Sequence, residues 1–171
     1  PSQFLKMPHV SALIYYQATL NRNLICDNIK YDSERIENMY KIVKKEELND
    51  VVQLMEVHAP MVARKCEPGQ FIILRVGEDG ERIPLTIADY DREKETITII
   101  YQIVGYSTKQ LAKLEEGDYI TDFVGPLGVP THLEKKDHVI GVAGGVGSAP
   151  LFTQLRKLAE LGTKVDVIIG G

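Results

Sequence analysis

His138-Val139-Ile140-Gly141-Val142-Ala143-Gly144-Gly145-Val146-Gly147-Ser148-Ala149-Pro150 is the stretch on which the fold turns. Its first six residues form a continuous apolar run of the kind buried in parallel sheets. The glycines that follow make a turn, with Ser148 as the expected helix cap and Pro150 suited to the first helical turn. Beyond them Leu151, Leu155, Leu158 and Leu161 fall on one stripe, with Gln154, Arg156, Lys157 and Glu160 opposite, which predicts an amphipathic helix. Gly162 is a C-terminal stop and Val165–Ile169 a second apolar strand. The unit is strand, turn, helix, parallel strand. One helix cannot cover both faces of such a sheet, so the expectation is a C-terminally truncated α/β domain.

Upstream, Glu134-Lys135-Lys136-Asp137 is a charged boundary, and before it the sequence is β-rich. Strands are predicted at Tyr40–Lys44, Val51–His58, Gln70–Val76, Ile83–Ala88, Thr96–Val104 and Tyr119–Phe123, with Glu46–Asp50, Pro68-Gly69, Gly77–Gly80 and Asp89–Lys94 as turns. Short strands at regular spacing predict a small antiparallel barrel of six strands. One helix interrupts them at Thr108–Leu114, capped by Ser107 or Thr108. Residues 1–38 read differently: they have four basic and four acidic residues, no glycine and no sustained periodicity. They are either an extension preceding a natural start at Met39 or an N-terminal arm that docks on the domain or on a partner. The division is 1–38, an extension of unclear role; 39–134, the barrel; and 135–171, the partial α/β domain.

Composition narrows the function classes. Of 171 residues 44% are hydrophobic and 26% charged, with a formal net charge of −4, the profile of a globular protein. The acidic balance without a basic block argues against nucleic-acid binding. No apolar run approaches the roughly 18 residues of a membrane span; Val10–Tyr16 is short, and no cleavage site follows it. Cys26 and Cys66, the two cysteines, can make neither a disulfide framework nor a four-thiolate metal site. A cytoplasmic, reducing setting without membrane or nucleic-acid partners is the expectation.

Two sites carry chemistry. Gly144, Gly145, Gly147 and Ser148 open a helix after a buried strand, where bare backbone and free N–H groups receive phosphate. Pro150 stands where the third glycine of G-x-G-x-x-G would be, and a plain tight turn is the alternative. Asp166, the acidic residue in the second strand, lies inside that strand rather than at its end. The second site joins Arg82-Ile83-Pro84-Leu85-Thr86 to Tyr101–Thr108, an arginine and a hydroxyl before a strand and a Gly-x-Ser-Thr helix start. Singly these are a hairpin arginine and an ordinary cap; in this order, before a glycine loop, they form a pattern.

That pattern resembles the ferredoxin–NADP reductase superfamily, a flavin-binding six-stranded barrel followed by a Rossmann-like parallel nucleotide-binding domain. The likeness runs through Pro68-Gly69-Gln70-Phe71, Ile83–Ala88, Tyr101–Thr108 with Leu111, Gly125-Pro126-Leu127-Gly128 and Gly144–Leu151. Within the superfamily the chain resembles the FAD-containing small subunits of NADH-dependent ferredoxin–NADP oxidoreductase (sulfide dehydrogenase) and of dihydroorotate dehydrogenase. The resemblance implies that Pro84, Leu85 and Thr86 lie along the isoalloxazine ring of FAD, with Thr86 near its reactive nitrogen. It implies that Ile100, Tyr101 and Gln102 contact the ring and ribityl chain, and that Gly105, Ser107 and Thr108, with Arg82, hold the pyrophosphate. Gly144, Gly145, Gly147 and Ser148 would meet NAD(P)H. Two departures stand out: the arginine sits at Arg82 where the family pattern would put it at Ile83, and Leu85 replaces a stacking tyrosine.

The resemblance further implies a role as an FAD-dependent NAD(P)H oxidoreductase subunit, passing electrons between NAD(P)H, FAD and iron–sulfur centres. Its expected partners are a larger iron–sulfur flavoprotein subunit, glutamate synthase small-subunit-like, and ferredoxin. The full-length subunits carry a C-terminal [2Fe–2S] cluster whose cysteine ligands this sequence lacks. No catalytic acid–base pair, nucleophile or metal ligand stands out. The alternatives are the electron-transfer subunit of dihydroorotate dehydrogenase and, in another class, a flavin-free binding module.

Overall fold

The computed structural model describes residues 40–170, within the unit Met39–Gly171; the N-terminal extension 1–38 lies outside the described residues. Six antiparallel strands come first: β1 (Ile42–Asn49), β2 (Val52–His58), β3 (Phe71–Arg75), β4 (Ile83–Asp91), β5 (Thr96–Gln102) and β6 (Asp122–Leu127). They form one sheet in the order β1-β2-β5-β4-β3-β6. Helix α1 (Pro60–Ala63) follows β2, and α2 (Tyr106–Leu111) follows β5. The parallel pair β7 (His138–Gly144) and β8 (Lys164–Gly170) flanks α3 (Ser148–Glu160). The sequence-predicted architecture is therefore present, with one modification: the barrel is not closed. Between its ends runs one bridge, Lys41 to Tyr119, with backbone hydrogen bonds from Ile42 N–H to Asp118 and from Ile120 N–H to Tyr40.

Period-2 alternation builds the barrel core. On β2, Gln53, Met55 and Val57 point inward, and on β5 Ile97, Ile99 and Tyr101 meet them. Ile72, Leu74, Ile87, Leu111 and Phe123 complete a dry cluster, with the Tyr40 and Phe123 rings stacked 5.5 Å apart. The motif Pro68-Gly69-Gln70-Phe71 is a brace: Gly69 takes φ +90°, and the buried Gln70 amide bonds both the Glu67 N–H and the Gly128 carbonyl. It ties the start of β3 to the loop after β6.

Five local expectations need correction, the first being that Asp89–Asp91, predicted as part of a turn, continue β4 in register with Thr98–Thr96 of β5. Glu46–Leu48 are strand rather than turn, because β1 is a long edge strand paired to β2 as far as Asn49, and exposed edge residues are polar for the same reason as turn residues. The predicted strand Tyr119–Phe123 shifts to Asp122–Leu127, since Gly117 at φ +97° ends one turn and residues 119–120 bond across to β1 instead. Helix α2 begins at Tyr106 with Gly105 as its N-cap residue; Ser107 takes no part in the cap, and Thr108 serves from the third helical position, its hydroxyl accepting the Gly105 N–H. Ser148 does not cap α3: Gly147 does, in a short 3₁₀ turn, and the Ser148 hydroxyl donates back to the Gly145 carbonyl. Helix α1 has no counterpart in the sequence reading, being a single turn launched by Pro60.

Helix α3 covers one face of the β7–β8 pair. Gly141 lies close under Leu155, whereas Ile140, Val142 and Ile168 on the other face are more than half exposed. Beside α3 runs a nearly apolar groove of ≈ 420 Å³ between Leu151, Phe152, Leu155 and Val167. No helix among the described residues is long and apolar enough to cross a membrane.

Candidate functional site

Strand β4 changes partners in its middle. Residues Ile83–Thr86 pair with β3, from Leu74 back to Phe71, whereas Ile87–Asp91 pair with β5, from Ile99 to Thr96, with an irregularity between Ile87 and Asp89. Beyond Ile99, residues Ile100–Gln102 of β5 pair only with β2. The β4–β5 ladder thus stops at Ile87 and Ile99, and the edges of Pro84–Thr86 and Ile100–Gln102 have no ladder partner in each other. Backbone N–H and C=O groups need partners, so such a notch is a place for a polar, flat molecule to complete the ladder.

Alternation sorts the predicted contact residues. Pro84 and Thr86 are exposed on the outer face of β4, while Ile83 and Leu85 pack against the core. On β5, Ile100 is half-buried and Gln102 exposed, whereas Tyr101 is 3% exposed and its hydroxyl donates to Gln53 Oε1 at 2.8 Å. Burial holds the Tyr101 phenol well above its ordinary range. Pro84, Thr86, Ile100 and Gln102 are therefore brought to one surface, whereas Leu85 and Tyr101 turn their side chains to the core and their backbone groups to β3 and β2.

At the end of β5 the chain enters α2. The Thr108 hydroxyl accepts the N–H groups of Val104 (3.1 Å) and Gly105 (3.0 Å), so its role is to shape the turn. The first-turn amides of Tyr106 and Ser107 point out of the helix start, and nothing stands within 4 Å of a Cβ built on Gly105. The Ser107 hydroxyl donates to Glu81 Oε2 at 3.1 Å, closing a small cavity of ≈ 10 Å³ between the β3–β4 loop and α2. Arg82 is turned to Asp122, Nη2 to Oδ2 3.1 Å, and Arg75 Nε lies 2.7 Å from the same oxygen as an ion pair. The arginine predicted for a phosphate is thus exposed and held by a carboxylate, and Glu81 and Asp122 are neighbours that the sequence pattern does not single out.

The glycine turn lies beside β5. Gly145 takes φ +54°, and positions 145 and 147 have open space where a Cβ would be. Gly144 is extended, its Cβ position 3.6 Å from the Gly170 carbonyl. A bare backbone at a helix start, beside β5, admits close approach of an anion. Asp166 is on the sheet surface, with His138 Nε2 at 2.7 Å from its Oδ2. Cys66 is fully buried, its thiol donating to the Ala63 carbonyl, and desolvation pushes its pKa to about 12, so it is an inert core group. No cluster of metal-ligating side chains occurs among the described residues.

An antiparallel β-barrel-like sheet followed by a glycine-turn βαβ unit is a fold that solved reductases share. The chain has the fold of solved ferredoxin–NADP reductase-like proteins. It is 39% identical to a chain of NADH-dependent reduced ferredoxin–NADP oxidoreductase, a structure described for flavin-based electron bifurcation, with a TM-score of 0.76, covering 77% of this chain and 48% of that one. It is 40% identical over 130 residues to the dihydroorotate dehydrogenase B (NAD(+)) electron transfer subunit homolog of Thermotoga maritima, covering 76% of this chain and 46% of the relative. It is 55% identical over 139 residues to an uncharacterized Clostridium beijerinckii protein from the adh 3′ region, covering 77% and 47% respectively. No family model matches. The chain spans about half the length of the curated relatives it matches.

Proposed function

We propose that residues 39–134 hold FAD across the β4–β5 notch, that residues 135–171 present NAD(P)H to it, and that the chain is the flavin-bearing part of a pyridine-nucleotide oxidoreductase subunit. The observation that carries this reading is the partner change of β4 at Thr86, which leaves two unpaired backbone edges beside the glycine turn. FAD, when bound, supplies hydride exchange with the nicotinamide and single-electron exchange with iron–sulfur centres.

The protein's own contribution is binding and alignment. Pro84 and Thr86 offer an exposed rigid edge with one hydroxyl that can donate or accept a hydrogen bond at the flavin. Ile100 and Gln102 form the opposite edge, one apolar and one amide. The amides of Tyr106 and Ser107 and the bare backbone at Gly105 suit the pyrophosphate, and Arg82 is within the same surface, available once it exchanges Asp122 for phosphate. Gly144, Gly145, Gly147 and Ser148 suit the dinucleotide phosphate.

The partners that fit this role are a larger iron–sulfur flavoprotein subunit and ferredoxin, which take electrons onward. The electron-transfer subunit of dihydroorotate dehydrogenase is the second reading, favoured by the 40% identity to the Thermotoga maritima relative; which large subunit co-purifies separates the two. The test of the function itself is reconstitution with FAD, followed by anaerobic addition of NADH or NADPH. Stoichiometric uptake of flavin absorbance and its bleaching by one nucleotide support the reading. A chain that takes up no flavin is a binding module instead.

A further inference from the structure

We propose that Arg156 is a positioning residue: its junction with Asp89 and Tyr90 fixes the glycine turn relative to strand β4. On the functional reading above, from which this inference follows, it thereby sets the nicotinamide carrier against the flavin. Arg156 lies on the α3 flank that meets β4. Its Nη1 is 2.6 Å from Asp89 Oδ1, and its guanidinium carbon is 5.3 Å from the centre of the Tyr90 ring and 5.5 Å from that of Phe152 on its own helix. Tyr90 also receives the guanidinium of Arg92 at 5.2 Å, and Arg92 is anchored in turn to Glu67 Oε1 (2.8 Å) and the Cys66 carbonyl (3.0 Å). Arg156 Nε also lies 3.9 Å from Glu160 Oε1.

Three features make this more than a surface ion pair. Arg156 and Asp89 are only about one-third exposed, at 32% and 34%, so water screens them less than an open pair. A guanidinium can bind a carboxylate in its plane while stacking its face on a ring, which an ammonium cannot reproduce. The position matters most. Asp89 and Tyr90 continue the strand that carries Thr86, and Arg156 stands about two helical turns from the glycine turn along the rigid rod of α3. One junction therefore relates the two candidate binding elements. Reacting groups must meet within a few tenths of an ångström, so a loosened junction costs rate even when both ligands still bind.

The test compares the whole chain with Arg156→Ala, Asp89→Ala, the double variant and Arg156→Lys. In the flavin-free chain, amide exchange at residues 144–151 should rise about tenfold in either alanine variant, with no further rise in the double, and Arg156→Lys should recover only part of the protection. In the FAD-loaded chain, Arg156→Ala should slow flavin reduction by nicotinamide at saturation at least tenfold, with FAD affinity unchanged. Additive or absent exchange effects overturn the junction. An unchanged reduction rate overturns its positioning role. If Arg156→Ala does not fold, Arg156→Lys and Asp89→Ala carry the same comparison. A wild-type chain that binds no FAD would refute the functional reading, and the exchange experiment would still decide the junction.

Discussion

The six-stranded sheet and the βαβ unit bury their apolar residues in opposite ways. In the sheet, Ile72, Ile97, Ile99 and Leu111 are wholly inaccessible, because strands wrap the cluster from several sides. In the βαβ unit, Leu155 and Leu158 keep 8–9% exposure, and the outer face of β7–β8 is open. Equal hydrophobicity in sequence thus yields unequal cohesion: the first region is an interior, the second a single covered face with an apolar groove beside it. The proposed flavin site stands on the tight region and the dinucleotide turn on the loose one, which is the division a fixed cofactor and an exchanging substrate require.

The largest expected effect breaks the tight region. Phe123→Ala removes a ring stacked on Tyr40 in a dry cluster and should cost about 3–5 kcal/mol. Leu155→Ala, which empties a site already bordering the groove, should cost about 2 kcal/mol, near the low end of such truncations. Urea melts followed by far-UV circular dichroism measure both; equal losses would remove the contrast between the regions.

A subtler pair probes the same difference by adding one methyl. A Cβ at Gly125 would lie 2.7 Å from Cγ2 of the fully buried Ile72, which is hemmed in, so Gly125→Ala should destabilise by about 1–3 kcal/mol. A Cβ at Gly141 would lie 2.6 Å from the tip of Leu155, which can swing into the groove, so Gly141→Ala should cost under about 1 kcal/mol. Thermal melts of the two variants test this, and the reverse order would mean that the groove side is the rigid one.

Much of this was legible in the sequence, for identifiable reasons. The run His138–Ala143 with its glycines, the helix after it and the stop at Gly162 each encode structure locally and stand where expected, except that Leu161 of the leucine stripe lies at the helix C-cap and is exposed. The alternating strands from Val51 to Val104 did so too. What local pattern could not carry was anything set by pairing across the sheet. The edge strand through Glu46–Asn49 was hidden because exposure, not turn chemistry, made it polar. The inward turn of Leu85 and Tyr101 depended on which face the barrel closed over. Glu81, Asp122 and the Arg156–Asp89 junction bring together residues far apart in the chain, and no spacing rule reports them.

The smallest effect concerns charge at the proposed phosphate end. Glu81 sits on the Ser107 hydroxyl, where an incoming phosphate would meet a carboxylate. Glu81→Gln should therefore tighten FAD binding about two- to fivefold at low salt, with the gain fading as salt rises. Fluorescence titration at two ionic strengths checks it, and weaker binding in the variant would mean that Glu81 organises the site rather than opposing the ligand.

On the proposed reading, flavin completes the interrupted β4–β5 ladder. The most direct test is hydrogen exchange, read residue by residue, on the whole chain with and without saturating FAD. Strong new protection is expected at Thr86 on β4, at Ile100 and Gln102 on β5 and at residues 106–107 in α2, with little change at Leu85 and Tyr101, whose amides already pair with β3 and β2, or in β1. Binding that leaves the β4 and β5 edges exchanging as before would contradict that reading, and would place the flavin somewhere other than the notch.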